Sequence, residues 1–468
     1  MSDPLELARG ALRGREAWLV GGAVRDHLLG RSADGLVDID IAMAGDVADA
    51  AATLRRAAPA GAAAFALSDS FGGWRIVGAG RAWQIDLTPL IGGSLDADLR
   101  ARDFTVNALA EPLAGGEPVD PTGGGADLAA RRLRMVSPWS FSDDPVRVLR
   151  LVRLALELGF AIDPVTASAA GEAAPGLAAV AGERCFAELR RIVVSPRALE
   201  GMDLLASTGA AAAVLPELEL LRGLEQTVYH HLDVHGHTLE VLARTIDLEL
   251  APQDVLGSAR GDRVRAFLAT PLADELTRGG ALRFGALLHD IAKPQTRMLF
   301  DDGRLGFPGH DREGAVVARE ILERLRASER LRAHVAALAR HHLRLGFLVH
   351  EAPLGPRDVH RYLVACGPVA VDVSLLSIAD RLATRGRKAE VAIAAHLDVA
   401  LGVLDAALDC EAAGEPEPLV RGDVLAAALG IVPGPQLGEL LDEIAEARYA
   451  GEITDAASAI GYARERLV

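Results

Sequence analysis

Two aspartates near the N-terminus have the spacing that metal chemistry requires. Asp38 and Asp40 alternate with Val37, Ile39 and Ile41. Because successive side chains of a strand point to opposite faces, this alternation predicts a strand with both carboxylates on one face. Two neighbouring carboxylates repel each other unless a cation lies between them, so the pair indicates a site for a divalent metal ion.

A glycine pair precedes these aspartates. The apolar run Trp18–Val20 stops at Gly21 and Gly22, and the residues that follow predict a helix with Gly30 just past its end. A strand, tight turn and helix in this order present backbone N–H groups to a phosphate. The glycines and the aspartates together indicate a site for a phosphate group beside a divalent metal ion.

The elements around this centre are predicted from the next stretch of sequence. Residues 47–60 predict a helix, and 71–77 and 83–87 predict two strands. Asp86 is bracketed by Ile85 and Leu87, which places it on the polar face of its strand, where it could complete a cluster with the first two aspartates. The prediction is helices on a small mixed sheet.

A second group of residues suited to metal chemistry lies farther along the chain. Most of the histidines fall between residues 223 and 385, and an apolar helix there ends in the adjacent pair His289 and Asp290. Neutral imidazole and carboxylate groups together bind divalent cations that activate water. The region predicts a second, separate metal centre.

Composition limits the class of protein. A chain of 468 residues with 50% apolar content predicts two to four folded units, and the low aromatic content of 4% with abundant alanine favours helices. Three unclustered cysteines argue against a disulfide framework or a cysteine zinc site, and a reducing cytoplasm is the expected location.

No uninterrupted apolar run is long enough to cross a bilayer, so no membrane partner is expected. The net charge of −16 argues against indiscriminate nucleic-acid binding, although arginine-rich patches can bind phosphates locally.

The head motifs resemble the class II nucleotidyltransferases, which comprise tRNA CCA-adding enzymes and bacterial poly(A) polymerases. The resemblance rests on Gly21–Asp26, on the strand with Asp38 and Asp40, and on the segment 98–108, in which Ala101 replaces the family's first arginine. It implies that Asp38 and Asp40 hold Mg²⁺ and, by analogy, that Asp86 is a third catalytic acid. It also implies a set of nucleotide-binding residues: Gly21, Gly22, Arg25, Arg102, Asp103, Asn107, Asp144, Arg147, Arg150 and Arg153.

Base selection is expected at the start of the next region. Asp144 and Arg147 are three residues apart and are predicted to share one helix face. Adenine and cytosine each offer an amine donor beside a ring-nitrogen acceptor, which a carboxylate and a guanidinium would match, whereas guanine and uracil present the reverse pattern. In the family this helix selects ATP and CTP, and the two residues match its positions.

The histidine region resembles the HD phosphohydrolase superfamily. That resemblance implies one set of metal ligands, namely His237, His289, Asp290 and Asp380. His310 and one of the adjacent His341 and His342, with His341 the assigned candidate, would add a second metal position. The identity of this divalent metal is left open.

The resemblance covers nearly the whole chain and implies an α+β protein whose remainder is all helical. We expect a nucleotidyltransferase head at 1–140, a helical neck at 141–222, an HD domain at 223–385 and a helical tail at 386–468. The implied function is addition of CCA, or part of it, from CTP and ATP to a tRNA 3′ end by two-metal phosphoryl transfer, with hydrolysis at the HD domain. One alternative is a poly(A) or A-only enzyme acting on another RNA 3′ end. A second is an HD phosphohydrolase regulated by a nucleotide-binding head, and an RNA-binding module without catalysis is the least favoured.

Overall fold

The computed structural model describes residues 3–31, 38–67, 72–227, 229–386, 389–414 and 416–467. Val37 and Phe71, which belong to two of the predicted strands, lie outside the described residues. The chain divides into two compact units, one formed by Met1–Val180 and Glu200–Val214 and the other by Ala181–Leu199 and Leu215–Val468. The predicted division into four domains stays a prediction.

The first unit contains a six-stranded sheet in the order β3-β4-β5-β2-β1-β6, with β2 and β5 parallel and the other neighbours antiparallel. Its strands are β1 (Ala17–Val20), β2 (Asp38–Met43), β3 (Ala63–Ala66), β4 (Trp74–Val77), β5 (Gln84–Pro89) and β6 (Ala110–Pro112). Its helices are α1 (Pro4–Ala11), α2 (Gly22–Leu28), α3 (Val47–Ala57), α4 (Leu95–Arg100) and α5 (Gly124–Ala129). Helices on a small mixed sheet confirm the prediction for the head, although β3 and β6 were not predicted.

The strand alternation has the expected effect. Ile39 and Ile41 on β2 and Ile85 and Leu87 on β5 are almost completely buried, and the aspartates between them point to the other face of the sheet. Burial of four such side chains stabilises the head by about 1.5–3 kcal/mol each. The core of the sheet therefore fixes the register of the carboxylates.

The neck begins with two helices separated by a break. Its elements are α6 (Ser140–Asp143), α7 (Arg147–Leu158), α8 (Pro164–Ala173), α9 (Gly182–Val193), α10 (Ala198–Ser207), α11 (Ala210–Val214) and α12 (Pro216–Glu219), and a short parallel pair joins β7 (Arg132–Leu133) to β8 (Ala161–Ile162). Asp144 has φ −152° and ψ 95° and precedes Pro145. A residue before proline is driven toward extended backbone, so α6 stops there. The prediction that Asp144 and Arg147 share one helix face is therefore wrong, because Asp144 lies outside α7.

The second unit is largely helical, as predicted. Its helices after α12 are α13 (Val234–Leu250), α14 (Pro252–Leu256), α15 (Ser258–Leu268), α16 (Arg278–Leu288), α17 (Lys293–Thr296), α18 (His310–Arg324), α19 (Glu329–His341), α20 (Arg344–Leu348), α21 (Pro356–Cys366), α22 (Ala370–Ala383), α23 (Ala389–Ala413), α24 (Gly422–Leu429), α25 (Pro435–Tyr449) and α26 (Ala456–Arg466). Two short hairpins interrupt this helical region, formed by β9 (Pro271–Ala273) with β10 (Leu276–Thr277) and by β11 (Met298–Leu299) with β12 (Leu305–Gly306). Helix α13 packs on α16 and α22, and α19 packs on α16 and α18.

Two helical segments are long and apolar enough, by length and composition, to cross a membrane. In the apolar 18-residue window of each segment, 72% is buried inside the protein for Pro356–Ala383 and 33% for Ala389–Ala413. In the second segment Asp405 forms two bonds of 2.7 Å with Arg260 of α15. Both segments therefore have packing partners within the protein.

Candidate functional site

The head carboxylates lie on two neighbouring strands. Asp40 on β2 and Asp86 on β5 are directly opposite each other in the parallel register, and Asp38 lies two residues before Asp40 on the same face. Asp38 and Asp40 are both exposed. Although part of the Asp40 residue is accessible to solvent, the protein atoms packed around its carboxylate displace water, and this desolvation is the largest cause of a raised pKa. Repulsion from Asp86 is the second cause. A divalent cation would relieve this repulsion, so the donor set fits the Mg²⁺ that the sequence implied, and metal so held supplies charge that stabilises the developing negative charge of phosphoryl transfer.

The glycine turn lies against this carboxylate group. Gly21 has φ +74°, which favours glycine, and a Cβ atom placed there would lie 3.3 Å from Nη1 of Arg102 and 3.7 Å from Oδ2 of Asp40. Helix α2 begins at the next residue, Gly22. The turn, the guanidinium of Arg102 and the carboxylate of Asp40 thus line one space. Arg102 is held there by Asp98, whose buried carboxylate accepts from its Nε at 3.2 Å and its Nη2 at 3.0 Å.

Four of the predicted nucleotide-binding residues form one polar network. Arg25 is buried and donates from Nη1 to Oδ1 of Asn107 at 2.8 Å, and it also binds both carboxylate oxygens of Asp26 at 2.9 Å. Asn107 donates to Asp103 at 3.1 Å, and Arg150 on α7 pairs with the same carboxylate at 2.8 Å. The network joins the segment predicted to bind nucleotide to the first long helix of the neck.

Arg147 is positioned by backbone groups. Its Nη1 donates to the carbonyl of Ser140 at 3.0 Å, and its Nη2 donates to the carbonyl of Ala101 at 2.9 Å. A guanidinium carries five N–H donors, so these two bonds orient the group and leave donors for a ligand. Arg153 differs from Arg147, because it is buried and pairs with Glu157 at 2.6 Å. Its predicted role in nucleotide binding has no support from this geometry.

The HD residues form two groups whose ligand atoms lie within 4.8 Å of one another: one of His237, His289 and Asp380, and one of Asp290, His310 and His342. The predicted ligands are therefore brought together, with one correction. His342 is 2% exposed and belongs to the second group, whereas His341 accepts a bond from Arg344 at its Nδ1 and lies outside both groups. The assignment of His341 is wrong because consecutive residues at the end of a helix point about 100° apart, and only His342 points inward.

Backbone carbonyls fix the tautomers of three of these histidines. The Nδ1 atoms of His289, His310 and His342 donate to carbonyls at 2.8, 2.7 and 2.7 Å, each three residues earlier in the chain. Their Nε2 atoms then carry the lone pair, and those of His310 and His342 face each other at 3.3 Å. The buried Nε2 of His289 lies 3.2 Å from Oδ2 of Asp290, and within the described part of the chain it meets no partner in hydrogen-bond geometry. Lone pairs in this arrangement fit a divalent cation between the rings.

Charges in this group are strongly coupled. Burial would raise the pKa of Asp290, but His289 and Lys293 outweigh it and hold that pKa well below its ordinary value. Burial lowers the pKa of His342 to about 4, so its imidazole is neutral at neutral pH. Asp380 accepts from His237 at 3.0 Å, and its pKa is lowered although burial opposes this shift. Burial would lower the pKa of His289, but the carboxylates beside it, Asp290 first, outweigh burial and raise that pKa, so a metal ion would have to displace a proton from that imidazole.

Two residues at this centre were not predicted from the sequence. Lys293 is four residues after His289 and binds Asp290 at 2.6 Å and Gln226 at 2.6 Å. His230 stacks edge-on against His237, with ring centroids 4.9 Å apart. Lys293 was detectable in principle, because a helical turn after His289 places a cation beside the carboxylate of Asp290.

Three family models match successive parts of the chain. The poly A polymerase head domain matches residues 17–72 and 79–134, a probable RNA and SrmB-binding site of polymerase A matches 159–221, and an HD domain matches 263–385. The chain is 38% identical to the A-adding tRNA nucleotidyltransferase of Deinococcus radiodurans, over 93% of this chain and 92% of that protein. It is 34% identical to the CC-adding tRNA nucleotidyltransferase of Thermus thermophilus, over 94% of this chain and 91% of that protein.

A solved structure shares the fold. A CCA-adding enzyme in complex with ATP has a TM-score of 0.64 and 20% identity, and the match covers 99% of this chain and 95% of that chain. The α+β fold and the helical remainder are thereby confirmed. The chain belongs to the family of tRNA nucleotidyltransferases and poly(A) polymerases.

Proposed function

We propose that this protein adds cytidine or adenosine nucleotides, or both, from CTP and ATP to the 3′ end of tRNA. The observation that carries the proposal is the space lined by Gly21, Asp40 and Arg102, in which an anion-binding turn lies against a metal-binding carboxylate. The two related enzymes named above are A-adding and CC-adding, which supports tRNA over other RNA and disfavours the poly(A) alternative. A regulator without transfer chemistry would not need the exposed carboxylates.

The chain's own residues divide the work as follows. Asp38 and Asp40 hold Mg²⁺, and Arg102 neutralises triphosphate charge. Arg25, through Asn107 and Asp103, keeps the adjacent network in one geometry, and Arg150 extends it to α7. Arg147 offers its remaining donors to the base edge.

The test uses tRNA transcripts that lack the 3′ end entirely, end in C, or end in CC, each incubated with one labelled NTP. Addition of C or A to any of these supports the proposal, and the transcript that is extended defines the product. Asp38→Ala and Asp40→Ala should each reduce addition by at least about a hundredfold, because they remove charge from an electrostatic site. Full activity in both variants would contradict the proposal. Asp49→Ala, which removes an exposed carboxylate paired with Arg15, is the matched control.

A second function is proposed for the HD centre, where we infer metal-dependent hydrolysis of phosphoesters. The observation that favours it is the set of three buried histidines whose Nε2 lone pairs are fixed by backbone carbonyls. Asp380 and His237 complete the set of donors. Hydrolysis of a 2′,3′-cyclic phosphate by the purified protein with Mg²⁺, Mn²⁺, Co²⁺ or Ni²⁺ tests this function and identifies the metal.

A further inference from the structure

Both carboxylate oxygens of Asp86 accept hydrogen bonds from an arginine on the neighbouring strand. Arg75 on β4 is directly opposite Asp86 on β5 in the antiparallel register. Its Nε donates to Oδ1 at 2.8 Å and its Nη2 donates to Oδ2 at 2.7 Å. Two parallel charge-assisted bonds of this kind are the strongest form of an arginine–carboxylate pair. Both oxygens of the expected third acid are therefore engaged by protein.

The other two acids differ from Asp86 in exposure. Asp38 and Asp40 are exposed, whereas the Asp86 side chain is 13% exposed and lies under the guanidinium. At one level across the sheet, Arg75, Asp86 and Asp40 follow each other on β4, β5 and β2. The row begins with a cation and ends with the carboxylate that faces the glycine turn.

The charge of the group follows from this arrangement. Arg75 offsets the negative charge of Asp86 before any metal ion binds, and Arg102 and Arg150 act electrostatically on Asp40. The hydrogen bond to Asp86 raises the pKa of Arg75, so the guanidinium stays charged. A cation entering the head thus meets two available carboxylates, Asp38 and Asp40.

We propose that Arg75 is a positioning residue that withholds Asp86 from the head metal ions. In this arrangement Asp38 and Asp40 are the protein ligands, and Asp86 acts through Arg75 and through its charge beside Asp40. The proposal deepens the function proposed above and rests on it, since the metal ions concerned are those of nucleotidyl transfer. It replaces the expectation that Asp86 is itself a catalytic acid.

The experiment measures Mn²⁺ binding to the full-length protein by electron paramagnetic resonance, without nucleotide or RNA. The double variant Asp38→Asn/Asp40→Asn lacks the head site, so the Mn²⁺ that it still binds lies elsewhere in the chain. This signal is subtracted from that of each other variant. The key variant is Arg75→Gln/Asp86→Asn, which removes one positive and one negative charge together and keeps amide groups that can pair. We expect its head-site affinity to stay within about threefold of that of the native protein. Affinity lower by about tenfold or more would show that Asp86 is a ligand and would overturn the proposal.

A second variant should raise the affinity of the head site for Mn²⁺. Arg75→Ala frees Asp86, so Mn²⁺ should bind about tenfold more tightly, and Arg75→Lys, which cannot engage both oxygens equally, should lie between Arg75→Ala and the native protein. Arg15→Ala, which removes a cation paired with Asp49, should leave the affinity unchanged. Unchanged or weaker binding in a folded Arg75→Ala variant, checked by its melting temperature, would also overturn the proposal. Because no nucleotide is present, these results are independent of whether tRNA is extended, which the addition assay tests separately.

Discussion

The two candidate metal-binding groups differ in their exposure to solvent and in how their donor atoms are oriented. In the head, Asp38 and Asp40 are exposed, and the residues around them are arginines that suit a triphosphate. In the second unit, His289, Asp290 and His342 are at most 2% exposed, and backbone carbonyls fix the histidine tautomers. The candidate HD donors are therefore already close together and oriented in the protein, whereas the head carboxylates are open to solvent. Rigid donors suit a resident metal ion, and open ones suit an ion that arrives with substrate.

The largest expected effect separates these two centres. His289→Ala together with Asp290→Ala should reduce phosphoester hydrolysis by at least about a hundredfold, because an imidazole and a carboxylate are lost from one set of ligands. Nucleotide addition should survive, since Asp38 and Asp40 are untouched. Both reactions are assayed on the same preparation after its helical content and melting temperature have been checked. Loss of addition in a well-folded variant would mean that the HD unit is part of the polymerase.

A matched pair of histidines sharpens this comparison. His342→Ala should lower hydrolysis and metal content roughly tenfold or more, because His342 points into the ligand group. His341→Ala, one residue away on the same helix end, should leave both nearly unchanged, because His341 contacts Arg344. Metal content measured by elemental analysis reports the difference without any assumption about substrate. Equal losses in the two variants would contradict the assignment of His342.

A third prediction concerns base selectivity in the neck. Arg147→Ala and Asp144→Ala should lower discrimination against GTP and UTP by about 5- to 150-fold, which corresponds to about 1–3 kcal/mol for a mismatched base edge. Arg147→Lys should also lose discrimination against GTP and UTP. An ammonium group cannot bond to two carbonyls and a base edge in the fixed geometry of a guanidinium. The measurement is misincorporation relative to CTP and ATP. Equal loss of rate with all four nucleotides would assign base selection to other residues.

Sequence patterns predicted the parts of the molecule that depend on local periodicity. The alternation around Asp38 and Asp40 predicted the strand, and the glycine pair predicted the turn that Gly21 makes with φ +74°. The HD ligands were found because an apolar helix ends in His289 and Asp290. These features follow from neighbouring residues alone, so a single sequence contains the information.

Two features depended on contacts that a sequence does not display, and one was missed although its signal was local. The pair of Arg75 and Asp86 joins strands whose register is set by the whole sheet. The choice of His342 over His341 depends on how α19 is rotated against α16 and α18. Asp144 was assigned to a helix although Pro145 follows it, and here the local signal was available and was outweighed by the helical spacing of the arginines.

The head also contains a buried carboxylate, Asp127, that we expect to stabilise the fold and not to take part in the reaction. Its substitution gives the smallest predicted effect. Asp127 is completely buried and accepts bonds from Thr105 at 2.7 Å, from Arg132 at 2.6 and 2.8 Å, and from Arg134 at 2.9 Å. Burial would raise its pKa, but these bonds outweigh it and the pKa is lowered. A carboxylate with a lowered pKa stabilises the folded state above its unfolded pKa of about 3.9, and that contribution is lost as the pH falls through the folded value.

Asp127→Asn should therefore reduce the free energy of unfolding at pH 7 by about 1–3 kcal/mol, and the difference from the native protein should shrink as the pH falls below about 4. Urea unfolding followed by tryptophan fluorescence measures this in the first unit, because all four tryptophans lie within residues 1–180. Asp49→Asn is the control: the pKa of Asp49 is also lowered, by its bond to Arg15, but the pair is exposed and solvent screens it. If Asp127→Asn lowers the free energy of unfolding equally at every pH, packing and not the charge of Asp127 stabilises this site. Such a result would remove the distinction between the buried structural carboxylate and the exposed pair that binds metal.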